Sequence, residues 1–232
     1  MKQLKIVLAF SLFLGAGLNL ASAQEETPVV IDTYTVEFYT DELDAHFYDA
    51  FVNYINNENA LAANQIRSAA AYVQIEANTA KEKDKKALEK AHQELVNLAT
   101  GLEAGKIESS QRLKHVFSKT HLALSRHHYL NAMDLEAKKD VDKAGLEMKN
   151  AGKHLEHAAR WSGDELAKGS ESAWKATKET GSAIGRGTKV AAEDVNKGIK
   201  AIGAEIKKLG KKIFSRKKEI YDIYWLEEID LN

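Results

Sequence analysis

HHYLNAMDLEAKKDVDKAGLEMKNAGKHLEHAAR, residues 127–160, reads as two amphipathic helices joined at Lys138-Lys139-Asp140. Tyr129 and Met133 continue a stripe that begins with Leu113, Phe117 and Leu124. Beyond the turn, Ala144, Met148, Ala151, Leu155 and Ala158 make a second stripe. Steps of three and four residues place such side chains on one side of a helix. The same unit stands earlier in the chain. At an offset of 82 residues, His46 falls on His128, Phe47 on Tyr129, Ala50 on Ala132 and Phe51 on Met133. Past the turn, Glu58 falls on Asp140, Ala62 on Ala144, Ile66 on Met148, Ala69 on Ala151, Val73 on Leu155 and Ala77 on Ala159. The alignment needs no gap and keeps the turn in register. We read it as an internal duplication of one helix-turn-helix unit, against chance likeness between alanine-rich helices.

The rest of the middle region is helical too. Leu43, Phe47, Ala50, Phe51 and Tyr54 form one apolar face, and Ala62, Ile66, Ala69, Val73 and Ala77 the next. Leu88, Ala91, Leu95 and Leu98 form a bridging helix. Asn56-Asn57 marks a turn, and Gly101 and Gly105 in ATGLEAGK mark a break. The expected fold is all-α: a bundle of duplicated hairpins over residues 41–163, with a C-terminal amphipathic helix. Residues 24–40 read as an extended segment. Within it Tyr34, Val36 and Phe38 alternate with Thr33, Thr35 and Glu37 at strand period. Residues 219–232 are aromatic, β-branched and acidic, so a small terminal β-ribbon is one expectation; a terminal helix or an extended tail is another.

Residues 1–23 have the plan of a secretory signal peptide. Lys2 and Lys5 precede an apolar run from Ile6 to about Leu20, and Ala21-Ser22-Ala23 offers a small-residue cleavage site. The run is short and glycine-interrupted for a membrane span of ~20 residues. Cleavage after Ala23 removes two lysines and takes the formal charge from −1 to −3. The chain has no cysteine. It therefore holds together without disulfides, which fits a bacterial periplasm better than a small stapled extracellular module.

His121, His128, His154 and His157 are the candidate site residues. If the two stripes of the second hairpin face each other, these four cluster. Neutral imidazoles are ligands for zinc, copper or nickel, so a metal site is one expectation. A pH-responsive cluster is another, because protonation near pH 6 would make its members repel. The plain alternative is that the four only flank the core. Glu147 and Glu156 lie near them in sequence. No HExxH motif, Gly-x-Ser-x-Gly elbow, phosphate loop or dinucleotide fingerprint is present, and no nucleophile is paired with a base. We expect no enzyme and no cofactor.

The segment 164–218 is rich in glycine and lysine. Val195, Ile199, Ile202, Ile206, Leu209 and Ile213 alternate steps of four and three, which is an a/d seam. Lys197, Lys200, Lys207, Lys208, Lys211 and Lys212 occupy the other side. Three readings stand open. The seam docks on the domain; it pairs with another copy as a coiled coil; or the helix lies on anionic lipid, with Lys207, Lys208, Lys211 and Lys212 at the headgroups. Nucleic acid is a poor partner, since the chain is not basic overall and the lysine run lacks an aromatic stacking platform.

Two families resemble parts of this pattern. Each hairpin resembles a tetratricopeptide unit, but the offset is far from that family's ~34-residue period. The stretch LSRHHYLNAMDLEAKKDVDKAGLEMKNAGKHLEHAARWSG, residues 124–163, is similar to the YfdX family of small secreted bacterial helical proteins. The likeness rests on the tyrosine–alanine helix, the acidic turn and the close formed by Ala158, Ala159, Trp161 and Gly163. It implies a periplasmic helical protein and brings no reaction and no site residues. The expected function is a non-enzymatic exported protein for binding or stress protection, working as an oligomer or with another periplasmic protein. A histidine-based metal or pH sensor and a peripheral membrane binder are the alternatives.

Overall fold

In the computed structural model the described residues are 33–107, 109–164, 177–181, 183 and 190–215. The signal-peptide segment 1–23 and the C-terminal segment 219–232 lie outside them. Among the described residues six long helices carry the fold: α1 Thr33–Ile55, α2 Asn59–Thr79, α3 Glu82–Glu103, α4 Ser110–Ala137, α5 Val141–Ser162 and α6 Ala192–Ser215; residues 177–181 are helical as well. The architecture is all-α, with no strand among the described residues. Short connections make α1 to α5 successive neighbours, and α1 returns to touch α4 and α5.

The two hairpins share their boundaries and their turn chemistry. α1 ends at Ile55 and α4 at Ala137; α2 begins at Asn59 and α5 at Val141. Each pair of ends differs by the offset read from the sequence. Glu58 N–H donates to Asn53 O at 2.8 Å and Asn57 N–H to Tyr54 O at 3.0 Å. The equivalent bonds run from Asp140 N–H to Leu135 O at 2.9 Å and from Lys139 N–H to Glu136 O at 2.8 Å. This pairing satisfies the last carbonyls of a helix and needs a left-handed residue just past its end. Asn57 at φ 62° and Lys139 at φ 63° take that conformation although neither is glycine. Gly105 and Gly163 close α3 and α5 in the same way.

Small residues let the second hairpin close tightly. Ser118, Ser125 and Ala132 on α4 face Ala158, Ala151 and Ala144 on α5, all buried. Ser118 Oγ donates to Ala158 O at 2.8 Å and Ser125 Oγ to Ala151 O at 2.7 Å. The seven-residue spacing repeats the contact every two turns. Two apolar clusters flank α4. One gathers α1, α2, α3 and the start of α4 around Phe47, Ile66, Leu95 and Phe117. The other gathers α4, α5 and α6 around Met148, Leu155, Ile202 and Leu209. The Phe47 and Phe117 rings stack with centroids 4.1 Å apart.

Two expectations need correction. Residues 33–40 belong to α1, so the extended reading of 24–40 fails there, and residues 24–32 lie outside the described residues. An isolated strand leaves its backbone groups unpaired, whereas continuing an existing helix adds one hydrogen bond per residue. Met133, aligned with the half-buried Phe51, is 43% exposed and lies off the core. The seam of α6 docks within the chain: Val195, Ile199, Ile202, Ile206, Leu209 and Ile213 are all buried, and among the six helices its substantial contacts are with α4 and α5.

Candidate functional site: a row of buried imidazoles

Between the small-residue layers of α4 and α5 lie layers of titratable side chains. His121 and His128 stand three residues after Ser118 and Ser125, and Glu147 and His154 three after Ala144 and Ala151. The four predicted histidines come together, and His127 extends them. His121 and His154 are fully buried, while His127 and His128 are 3% and 1% exposed. Ring centroids step from His157 to His121 at 5.0 Å, to His154 at 5.3 Å, to His128 at 5.4 Å and to His127 at 5.2 Å. The His128 and His154 rings are parallel to within 4°. His121 Nδ1 and His154 Nδ1 are 3.0 Å apart, so one donates a proton to the other.

Carboxylates close both ends. Asp44, from α1, lies 3.3 Å from His121 Nε2 and 3.3 Å from His157 Nδ1. It pairs with Arg160 at 2.6 Å and accepts from Trp161 Nε1 at 2.9 Å. At the other end His127 sits between Asp84 of α3 at Nδ1 and Glu76 of α2 at Nε2, the latter at 3.3 Å. Glu147 faces His128 Nδ1 at 2.8 Å. Glu156 stays outside and pairs with Lys178.

A carboxylate only accepts, so these contacts fix the protons. His127 presents a nitrogen to a carboxylate on each side, an arrangement that favours a proton on both, and its Nε2 also lies 3.2 Å from Asn131 Nδ2. Burial works against its charge, but Asp84 and Glu76 outweigh burial and raise its pKa to about 9. His121 turns Nε2 toward Asp44 at 3.3 Å, a contact that favours the proton on that nitrogen. Its Nδ1 then accepts from His154 Nδ1–H. Burial lowers the pKa of His121 despite Asp44. It lowers His154 further, and the neighbouring histidines add to that effect. Burial alone would raise the Asp44 and Glu76 carboxyls, but His121, His157 and Trp161 hold Asp44 well below the usual carboxylate range, and His127, His128 and Tyr72 lower Glu76. His128 donates from Nδ1 to Glu147, and its buried Nε2 has no hydrogen-bond partner among the described residues.

The row thus sets an imidazolium at His127 beside neutral imidazoles at His121 and His154, all three shielded from water. Among the described residues no group of three or more His, Cys, Asp or Glu side chains is arranged to hold a metal ion. His127, Asp44, Glu76 and Asp84 were not singled out by sequence reading. The His127-His128 pair is the only local signal, and the carboxylates come from three other helices. Comparison of the chain with protein-family models, curated proteins and solved structures gives no match.

Proposed function

We propose that the protein is an exported, non-enzymatic helical bundle of the YfdX type that protects against stress by responding to acid. The observation that carries this reading is the buried row of imidazoles bridging α4 and α5, with His121 and His154 in direct contact at 3.0 Å. Neutral, these rings hold the two helices together. Each added proton meets a low-dielectric surrounding and the neighbouring rings. Below about pH 6.5, an opened chain takes up protons that the closed bundle resists, and the equilibrium shifts toward opening. A periplasm follows external acidity, so the trigger reaches an exported protein directly.

The test uses Trp161, which packs edge-on against Phe117 at 5.1 Å and bonds Asp44. In a W174F/W225F background its fluorescence reports the Asp44 end of the row. Titration from pH 7.5 to 5 is expected to show a transition that His121→Gln, His128→Gln, His154→Gln and His157→Gln together remove. Parallel titrations of parent and variant would end the reading.

A further inference from the structure

We propose that α6 is a latent membrane-binding helix, whose docked apolar face transfers to an anionic lipid surface when the α4–α5 pair opens. The inference rests on the acid-responsive reading for its trigger and on separate observations for its partner. The apolar side of α6, from Val195 to Phe214, is buried against the rest of the chain. Its outer side exposes Lys197, Lys200, Lys207, Lys208, Lys211 and Lys212. Lys197, Lys208 and Lys212 pair with Glu193, Glu205 and Asp164. Lys200, Lys207 and Lys211 have no ion-pair partner among the described residues. Arg216, Lys217 and Lys218 follow in the sequence. A wide apolar face flanked by unneutralised lysines is the chemistry that anionic headgroups and acyl chains recognise. A partner helix would match the apolar face but would leave these lysines unanswered.

The docking is close, and Gly198 lies against Thr177 as well as Met148. α6 leans on α4 and α5, the helices that carry the histidines. Its glycines make the closest approaches. A Cβ on Gly198 would collide with Met148 Sδ, and one on Gly203 would come within 2.7 Å of Tyr129 Oη. Met148 is the neighbour of Glu147 and Tyr129 the neighbour of His128, so α6 sits over the His128–Glu147 layer. Movement in that layer reaches α6 through these two contacts.

The charged groups around the histidines are Asp44 on α1, Glu76 on α2, Asp84 on α3, His127 on α4, and Glu147, His157 and Arg160 on α5. Around α6 stand Glu136, which accepts from Asn196 at 3.0 Å, Asp164 and the Glu205–Lys208 pair. Lys119, bonded to Glu94, lies 6.0 Å from the Phe214 ring.

The experiment is co-sedimentation of the full chain with vesicles of phosphatidylglycerol or of phosphatidylcholine. The acid-induced form is expected to bind the anionic vesicles about a hundredfold better than the form at pH 7.5, and to ignore neutral ones. With no native cysteine, M148C/G198C can tether α5 to α6. Its oxidised form should lose the acid-induced binding and regain it on reduction. Gly198→Leu, which undocks α6 without acid, should bind anionic vesicles at pH 7.5 while keeping its helical circular dichroism. K200E/K207E/K211E should weaken binding by about a hundredfold and leave the Trp161 transition in place. Equal sedimentation of oxidised and reduced M148C/G198C overturns the inference, as does equal binding to neutral vesicles or acid-induced pelleting without lipid. A Trp161 transition without vesicle binding overturns this inference alone. Loss of the transition, with Gly198→Leu still binding, overturns only the acid trigger.

Discussion

His154→Gln isolates the cost of keeping a neutral ring in the core. His154 is fully buried, hydrogen-bonded to His121 and parallel to His128, and its pKa lies well below 6.5. Above pH 6.5 the ring is neutral in both folded and unfolded chains and contributes no pH dependence. Below it the unfolded chain binds a proton that the fold refuses, so stability falls as pH falls. With the fold holding His154 neutral, the loss at pH 5 is about 2 kcal/mol. His127 acts in the opposite sense. With its pKa raised to about 9, its contribution is full below pH 6.5 and is lost as pH rises through 9. Between pH 7.5 and 5 it adds back about 1.4 kcal/mol. Asp44 and Glu76 are depressed, so their contributions are in place throughout this window and fail only at lower pH. His121, also depressed, adds to the loss. The assay is urea unfolding at pH 7.5 and pH 5, followed by circular dichroism. Glutamine changes the absolute stability at both pH values, so only the pH difference counts. The variant should lose about 2 kcal/mol less than the parent over that interval, near 1 M in urea midpoint for a slope of ~2 kcal/mol/M. Equal losses in parent and variant would refute the argument.

The turn geometry makes a second prediction. Lys139 holds φ 63°, a conformation that costs a residue with a Cβ about 1 kcal/mol; Lys139→Gly should therefore raise the urea midpoint, and a lower midpoint would show that another contact sets this turn. Phe117→Ala removes a fully buried ring stacked on Phe47 and edge-on to Trp161, and should cost about 3–5 kcal/mol in thermal or urea unfolding. A loss under 1 kcal/mol would mean that the apolar cluster collapses around the hole.

The hairpins are legible because helix periodicity and turn chemistry are local. Spacing that places Ala144, Ala151 and Leu155 on one face needs no knowledge of the rest of the chain. The meeting of His121 with His154 follows from folding that hairpin at Lys139. His127 escapes the same logic, since adjacent helical residues point about 100° apart. It therefore faces α2 and α3 while His128 faces α5. Its partners Glu76 and Asp84 sit on helices whose lateral placement no spacing rule supplies. Asp44 reaches the row from 117 residues before Trp161, through packing of α1 against α5. The seam of α6 was readable as a seam; which surface it covers depends on Gly198 and Gly203 fitting Met148 and Tyr129. Residues 33–39 show the reverse failure, with a local strand pattern overridden by the helix it adjoins.

The two hairpins differ at one equivalent pair of positions. His46 bonds Gln65 at 2.6 Å, and these positions align with His128 and Glu147. One hairpin thus pairs its imidazole with an uncharged amide where the other uses a carboxylate of nearly the same shape. Gln65→Glu would place a carboxylate beside His46 as Glu147 stands beside His128, giving both halves of the molecule the same imidazole–carboxylate contact.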